Sequence, residues 1–266
     1  MGNNQRAKRA RKAFYRRDVD ATRQVHQPHL IPEAMEQHGS TGHHYVGDLV
    51  FGALSGIVAT VAAVSGVSGA ALGASVVLLV GFANLLAGGL AAAVGAYVAS
   101  RSQIEFYERE WAREAWEVEH VPAGERAELL AIYCTQGYDA AEAEQMVAIQ
   151  TRDPKRWVDA MMVHELQLLR DRRQPLLCGL AELASFVFAG ALPLGAYVVA
   201  ALAGANPQAT LAAFLALAAV ALFLVGAARV WVTEGPWLRS GLEMLLVGGG
   251  AAVVAYSVGL LLQGVV

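Results

Sequence analysis

The chain has 266 residues, 56% of them hydrophobic, with a mean hydropathy of +0.41 and a formal net charge of −3. Five separate runs each exceed the roughly 18 apolar residues that cross a bilayer, and a soluble core of this length has no use for them. Composition therefore excludes an ordinary water-soluble domain and points to membrane spans at 46–68, 75–100, 175–202, 208–231 and 240–263.

Ahead of the first span, residues 1–24 carry eight Lys and Arg against Asp18 and Asp20, a basic tail suited to anionic headgroups. Five of the seven histidines follow in the same segment: His26, His29, His38, His43 and His44. Their scattered spacing suits a loose metal-attracting tail better than a defined site. The polar stretch before span 1 is unlike a cleavable leader, so that span is expected to stay in the protein.

Spans 1 and 2 are rich in small residues, among them Gly52, Gly56, Gly66, Gly69, Gly81, Gly88, Gly89 and Gly95. Lipid offers no hydrophobic drive for helices to associate, so small residues that allow close backbone approach predict a tightly packed bundle. Every Lys and Arg lies in 1–45, in 101–174, or at Arg229 and Arg239, and the loops at 69–74 and 203–210 carry no charge. The excess of basic residues on one side places the N-terminus, the 101–174 insert and the 229–239 loop in the cytoplasm. Five spans then put the C-terminus on the opposite side.

Between spans 2 and 3, residues 101–174 hold 15 of the 23 Asp and Glu residues. Span 2 is expected to continue as one helix to about Glu119, where Pro122 and Gly124 break it. A second helix is expected over 123–135, ended by Gly137. Asp139 and Glu142 read as a capping box that opens a third. Asp153-Pro154 reads as an N-cap and first helical position opening a fourth, which runs to about Arg170.

Residues three or four apart share a helix face. Glu114 with Glu117, Glu125 with Glu128, and Met161 with Glu165 are such pairs. Gathered carboxylates repel unless a cation neutralises them. Their hard oxygens suit iron(II), manganese(II), calcium or zinc, and a thioether tilts the choice toward transition metals. The competing reading is a solvated acidic face with Arg109 and Arg113 paired to Glu105 and Glu117. Glu105, Glu108, Glu110 and Glu119 extend that face.

Acids are few within the spans. Asp48 lies at the cytoplasmic mouth of span 1, Glu182 about two turns into span 3, and Glu243 at the start of span 5. Ionisable groups at depth are expensive and mark function by default. An interfacial Asp48 and a Glu182 paired with Arg172 or Arg173 are the plainer alternatives. Cys134 and Cys178 read as separate thiols.

Several strings together resemble one family. They are Gly52-Ala53-Leu54-Ser55-Gly56-Ile57-Val58, Gly95-Ala96-Tyr97-Val98, Tyr107 with Arg109-Glu110, and Trp157-Val158-Asp159-Ala160-Met161-Met162 followed by Glu165-Leu166. The last is similar to a W-x-D-x-M-M-x-x-E-L segment of the vacuolar iron transporter family. The likeness covers about residues 40–266. It implies export of iron(II) or manganese(II) from the cytoplasm, by proton exchange in studied members. It also implies a homodimer and a metal site on Glu114, Glu117, Glu125, Glu128, Met161 and Glu165. Met162 stands where some members carry another acid. The resemblance fails at the pore. Ser55-Gly56 replaces an Asp-Gly pair, and Ala92 and Ala96 stand where a Met and a Glu are usual. Asp48, Ser55, Asn84 and Glu182 are what remains to line a pathway.

The expected fold class is thus all-α: an integral membrane protein with five transmembrane helices and a cytoplasmic helical metal-binding domain. Its expected divisions are a basic tail at 1–45, spans 1–2 at 46–100, the acidic domain at 101–174 and spans 3–5 at 175–266. The expected function is export of a divalent metal, iron(II) or manganese(II), from the cytoplasm by proton exchange, with iron(II), manganese(II) or zinc as substrate or ligand. The alternative is a non-transporting membrane-anchored metal binder or sensor. No nucleophile–base constellation speaks for an enzyme, and the two Glu-x-x-His pairs of a di-iron carboxylate bundle are not present. The expected partners are the bilayer, metal ions and a second copy of the chain, and no nucleic acid.

Overall fold

The computed structural model describes residues 9–10, 12–27, 45–204, 206–229 and 236–263. His29, His38, His43 and His44 lie outside the described residues, as does the far end of span 4. Every regular element among the described residues is helical: α1 (Val19–Val25), α2 (Val46–Gly69), α3 (Ala74–His120), α4 (Pro122–Thr135), α5 (Ala140–Gln150), α6 (Pro154–His164), α7 (Pro175–Ala203), α8 (Pro207–Ala228) and α9 (Trp237–Leu262). Five of them, α2, α3, α7, α8 and α9, are long and apolar enough to cross a membrane. Helices are the form expected there, because a helix satisfies its backbone groups internally where no water can. The chain divides into two compact units, Met1–Ala92 with Ala181–Val266, and Ala93–Leu180.

In the first unit α2 packs against α8 and α9, and α8 against α9. The seam between α2 and α9 is glycine-lined. A Cβ on Gly259 would run into the Gly66 carbonyl, and one on Gly69 into the Tyr256 carbonyl. Close backbone approach of this kind suits helices in lipid, where packing rather than water exclusion holds them together. Ile57, Val61, Val64, Leu85, Phe186, Leu194 and Phe214 fill the interior. Leu79, Leu86, Phe188, Leu246 and Leu261 point outward and stay exposed, an apolar exterior suited to lipid. Glu243, on the first turns of α9, pairs with Arg239 at 3.3 Å and Arg229 at 3.8 Å.

The second unit is a helical insert. Pro122 occupies the first turn of α4, which separates it from α3 at Val121. Gly137 makes the turn after α4 with φ +101°, a conformation glycine adopts without steric cost. The Asp139 side chain accepts from the Glu142 amide at 2.9 Å, and the Glu142 side chain from the Asp139 amide at 3.1 Å, so the capping box is complete. Asp153 caps α6 by accepting from the Arg156 amide at 2.8 Å. Val118, Leu129, Tyr133, Val147, Trp157, Val158, Met161 and Met162 form the core.

Two expectations are corrected here. α6 ends at His164 rather than near Arg170, and Glu165 is its C-cap. The chain turns through a left-handed Gln167 (φ +54°), with Leu166 N–H donating to the Met161 carbonyl and Leu168 N–H to that of Met162. Leu166 and Leu168 thereby pack on the core, a tertiary gain that outweighs continuing the helix. The second correction concerns Arg109, which pairs with Glu110 at 3.6 Å and covers the Phe106 ring, whereas Glu105 is held by Arg101 at 2.7 Å.

Candidate metal centre

The three insert helices α3, α4 and α6 each bring one carboxylate to a common point. Glu114, Glu125 and Glu165 each offer an oxygen within 4.8 Å of the other two. Glu114 is 0% exposed and Glu125 6%, although glutamate is rarely buried without a partner. Both oxygens of Glu114, Oε2 of Glu125 and Oε2 of Glu165 are enclosed and accept no well-aligned hydrogen bond. Orphaned carboxylate oxygens of this kind are costly in a protein interior. A cation among them removes the cost, and hard oxygen donors suit a divalent ion.

Of the six residues expected at a metal site, these three converge directly. Glu117 and Glu128 stand close enough to act on them electrostatically. Glu117 is partly buried and Glu128 exposed. Met161 is fully buried one turn before Glu165. The competing reading of a solvated acidic face paired Arg113 with Glu117, and that contact is present at 2.8 Å. It also approaches Glu110 at 3.1 Å and the buried Glu114 at 2.7 Å. The Glu114 contact has no counterpart in the sequence reading, because adjacent helix positions do not face each other. Only the long arginine side chain, curling back, makes it.

The electrostatics follow from this burial. Desolvation, then Glu165, pushes the Glu114 carboxyl up to about 7 against the opposing pull of Arg113. Desolvation, then Glu128, does the same to Glu125, also to about 7. Glu165 is raised by the same causes. A ligand must lose its proton to bind metal. Two carboxyls near 7 each gain about tenfold in their ionised fraction between roughly pH 6 and pH 8. Metal affinity of the whole protein should therefore rise by about 10- to 100-fold over that interval, with protons released on binding. Titration with manganese(II) at several pH values checks this, and a flat profile contradicts it.

The residues expected along a membrane path lie in the other unit. Glu182, on α7, is 5% exposed. No hydrogen bond or ion pair reaches its carboxylate among the described residues of that unit. Its carboxylate is thus enclosed by its own unit. Asp48 on α2 is near enough to interact with it electrostatically. One turn on from Asp48, Gly52 lies directly against the α7 backbone. A Cβ there would fall 2.6 Å from the Glu182 carbonyl and strike Ser185 Oγ. Ser55 is partly buried on the next turn of α2, and Asn84 on α3 has an enclosed amide nitrogen without a partner. Thr60, fully buried with an orphaned hydroxyl, was missed by the sequence reading. Its four-residue steps from Gly52 and Gly56 along one helix face are the signal that would have found it.

Comparison with known proteins agrees with this architecture. A model of the VIT family matches residues 46–260. The vacuolar iron transporter of Toxoplasma gondii is 39% identical over 97% of this chain and 89% of its own length. That of Plasmodium falciparum is 30% identical over 96% and 95%. Vacuolar iron transporter 1 of Eucalyptus grandis is 30% identical over 86% and 91%. With five apolar helices, an acid-rich helical insert and these likenesses along almost its whole length, the chain belongs to the VIT family.

Proposed function

We propose that this multi-pass metal-ion transporter carries iron(II), and manganese(II) beside it, out of the cytoplasm in exchange for protons. The cargo is taken over from the relatives' name, vacuolar iron transporter. The observation that carries the proposal is the convergence of Glu114, Glu125 and Glu165, whose enclosed oxygens accept no aligned hydrogen bond. In this reading the 101–174 segment is cytoplasmic and collects the ion on those three acids, with Glu117, Glu128 and Met161 as further ligands. The spans at 46–100 and 175–266 form the passage, and the working unit is a homodimer, as the family resemblance implies.

The passage is unlike the family pattern, since Ser55, Ala92 and Ala96 supply no carboxylate or thioether. A divalent ion stripped of water needs negative partners at depth. Glu182 is the buried acid of the membrane unit that supplies one, with Asp48 beside it and Ser55 and Asn84 further along. Those three replacements equally favour a second reading, a membrane-anchored binder or sensor that moves no metal.

The test is exchange. Purified protein in proteoliposomes with an acidic lumen should take up iron(II) several-fold faster than with equal pH on both sides, while a lumenal dye reports alkalinisation. Uptake indifferent to the gradient removes proton exchange from the proposal.

A further inference from the structure

The candidate metal centre already holds a cation, and it is part of the chain. The Arg113 guanidinium spans three carboxylates on its own helix: Nε lies 3.1 Å from Glu110, Nη2 2.7 Å from Glu114 and Nη1 2.8 Å from Glu117. Among the described residues, no other Lys or Arg forms an ion pair with Glu114, Glu117, Glu125 or Glu165. The approach to Glu114 is close, yet it leaves both Glu114 oxygens without an aligned hydrogen bond. It is therefore a charge contact rather than a fitted fork, and weaker than arginine can make. The Arg113 side chain is 43% exposed, so it has room to move. Glu110, partly buried and already in contact, offers a place to which it can withdraw.

We propose that Arg113 is a resident counter-ion of the metal centre: a divalent ion must displace its guanidinium from Glu114 and Glu117, and Glu110 retains it. The inference rests on the metal-binding reading above and adds a threshold to it. A unit positive charge within contact distance of two ligands lowers the affinity of every incoming cation. Ions that bind carboxylates strongly still enter. Magnesium, which gives up its water reluctantly, is kept out. The arginine thus reserves an acidic site for scarce transition metals in a compartment rich in a commoner divalent ion.

The test uses the full-length protein in detergent and reads manganese(II) affinity by competition with a metal-sensitive dye. Arg113→Gln should tighten manganese(II) binding about tenfold or more and let millimolar magnesium compete, which it should not do in the wild type. Arg113→Lys, which keeps the charge, should stay within about threefold of wild type. In Arg113→Ala, millimolar methylguanidinium should weaken manganese(II) binding back toward the wild-type value, and choline at the same concentration should not. Unchanged affinity in Arg113→Gln overturns the proposal. So does weakened binding in Arg113→Ala that methylguanidinium restores, because the arginine then supports the site instead of competing for it. If wild type and variants alike bind no manganese(II), the metal-site reading itself fails and this proposal fails with it.

Discussion

Glu114→Gln combined with Glu125→Gln should lower manganese(II) affinity of the full-length protein at least about 100-fold, since two of the three converging donors are lost. The same double variant should melt at a higher temperature than wild type at alkaline pH in the absence of metal. A glutamate whose folded pKa is raised above its unfolded value binds more protons folded than unfolded between the two values. Its burial therefore costs stability as pH climbs through that window, here from about 4.5 to about 7. Removing the charge relieves up to about 3 kcal/mol per acid above the window and nothing below it. The stabilisation should accordingly vanish near pH 4, where the wild-type acids are protonated in both states. Glutamine keeps the shape of the side chain, so loss of fold is a minor concern. Unchanged affinity in the double variant would remove the acid triad from the metal site. A lower melting temperature at alkaline pH would mean that the contacts the acids make, the one with Arg113 among them, outweigh the cost of burying their charge.

The second large effect belongs to the membrane unit. Glu182→Gln should cut iron(II) transport at least about tenfold while leaving manganese(II) binding by the insert within about twofold of wild type, because only the passage loses its buried charge. The pattern separates the passage from the collecting site, which the Glu114 and Glu125 variants strike first. Adding Ser55→Asp to Glu182→Gln returns a carboxylate to the position that the family resemblance marks for one, and should restore part of the flux. Full transport by Glu182→Gln would leave Glu182 with no part in the passage and direct attention to Asp48 and Asn84.

The long apolar helices were legible because bilayer thickness sets a length that few soluble helices meet. The starts of α4, α5 and α6 were legible because Pro122, the Asp139–Glu142 box and Asp153-Pro154 are local signals, each made by residues adjacent in sequence. The end of α6 was not. No glycine or proline marks it, and the chain turns at Gln167 because Leu166 and Leu168 find the core. Spacing placed Glu114 and Glu117 on one face but could not rank them. Packing ranks them: Glu114 is fully buried at the point where three helices meet, and Glu117 is half-open at its edge. Glu182 posed the same difficulty along the membrane normal. Its position two turns into a span was equally compatible with reaching the surface, and only the close approach of α7 to α2 at Gly52 shows that it is enclosed. Arg113 against Glu114 lay beyond any rule of helical spacing.

The central claim is that metal crosses the bilayer through this chain in spite of Ser55, Ala92 and Ala96. The initial rate of iron(II) uptake by proteoliposomes holding the wild-type protein, measured against iron(II) concentration at equal pH on both sides, tests it most directly. The account predicts saturable uptake above empty liposomes. Uptake no faster than in empty liposomes, with metal still bound by the same preparation, would contradict it and make the chain a membrane-anchored metal binder on a transporter fold.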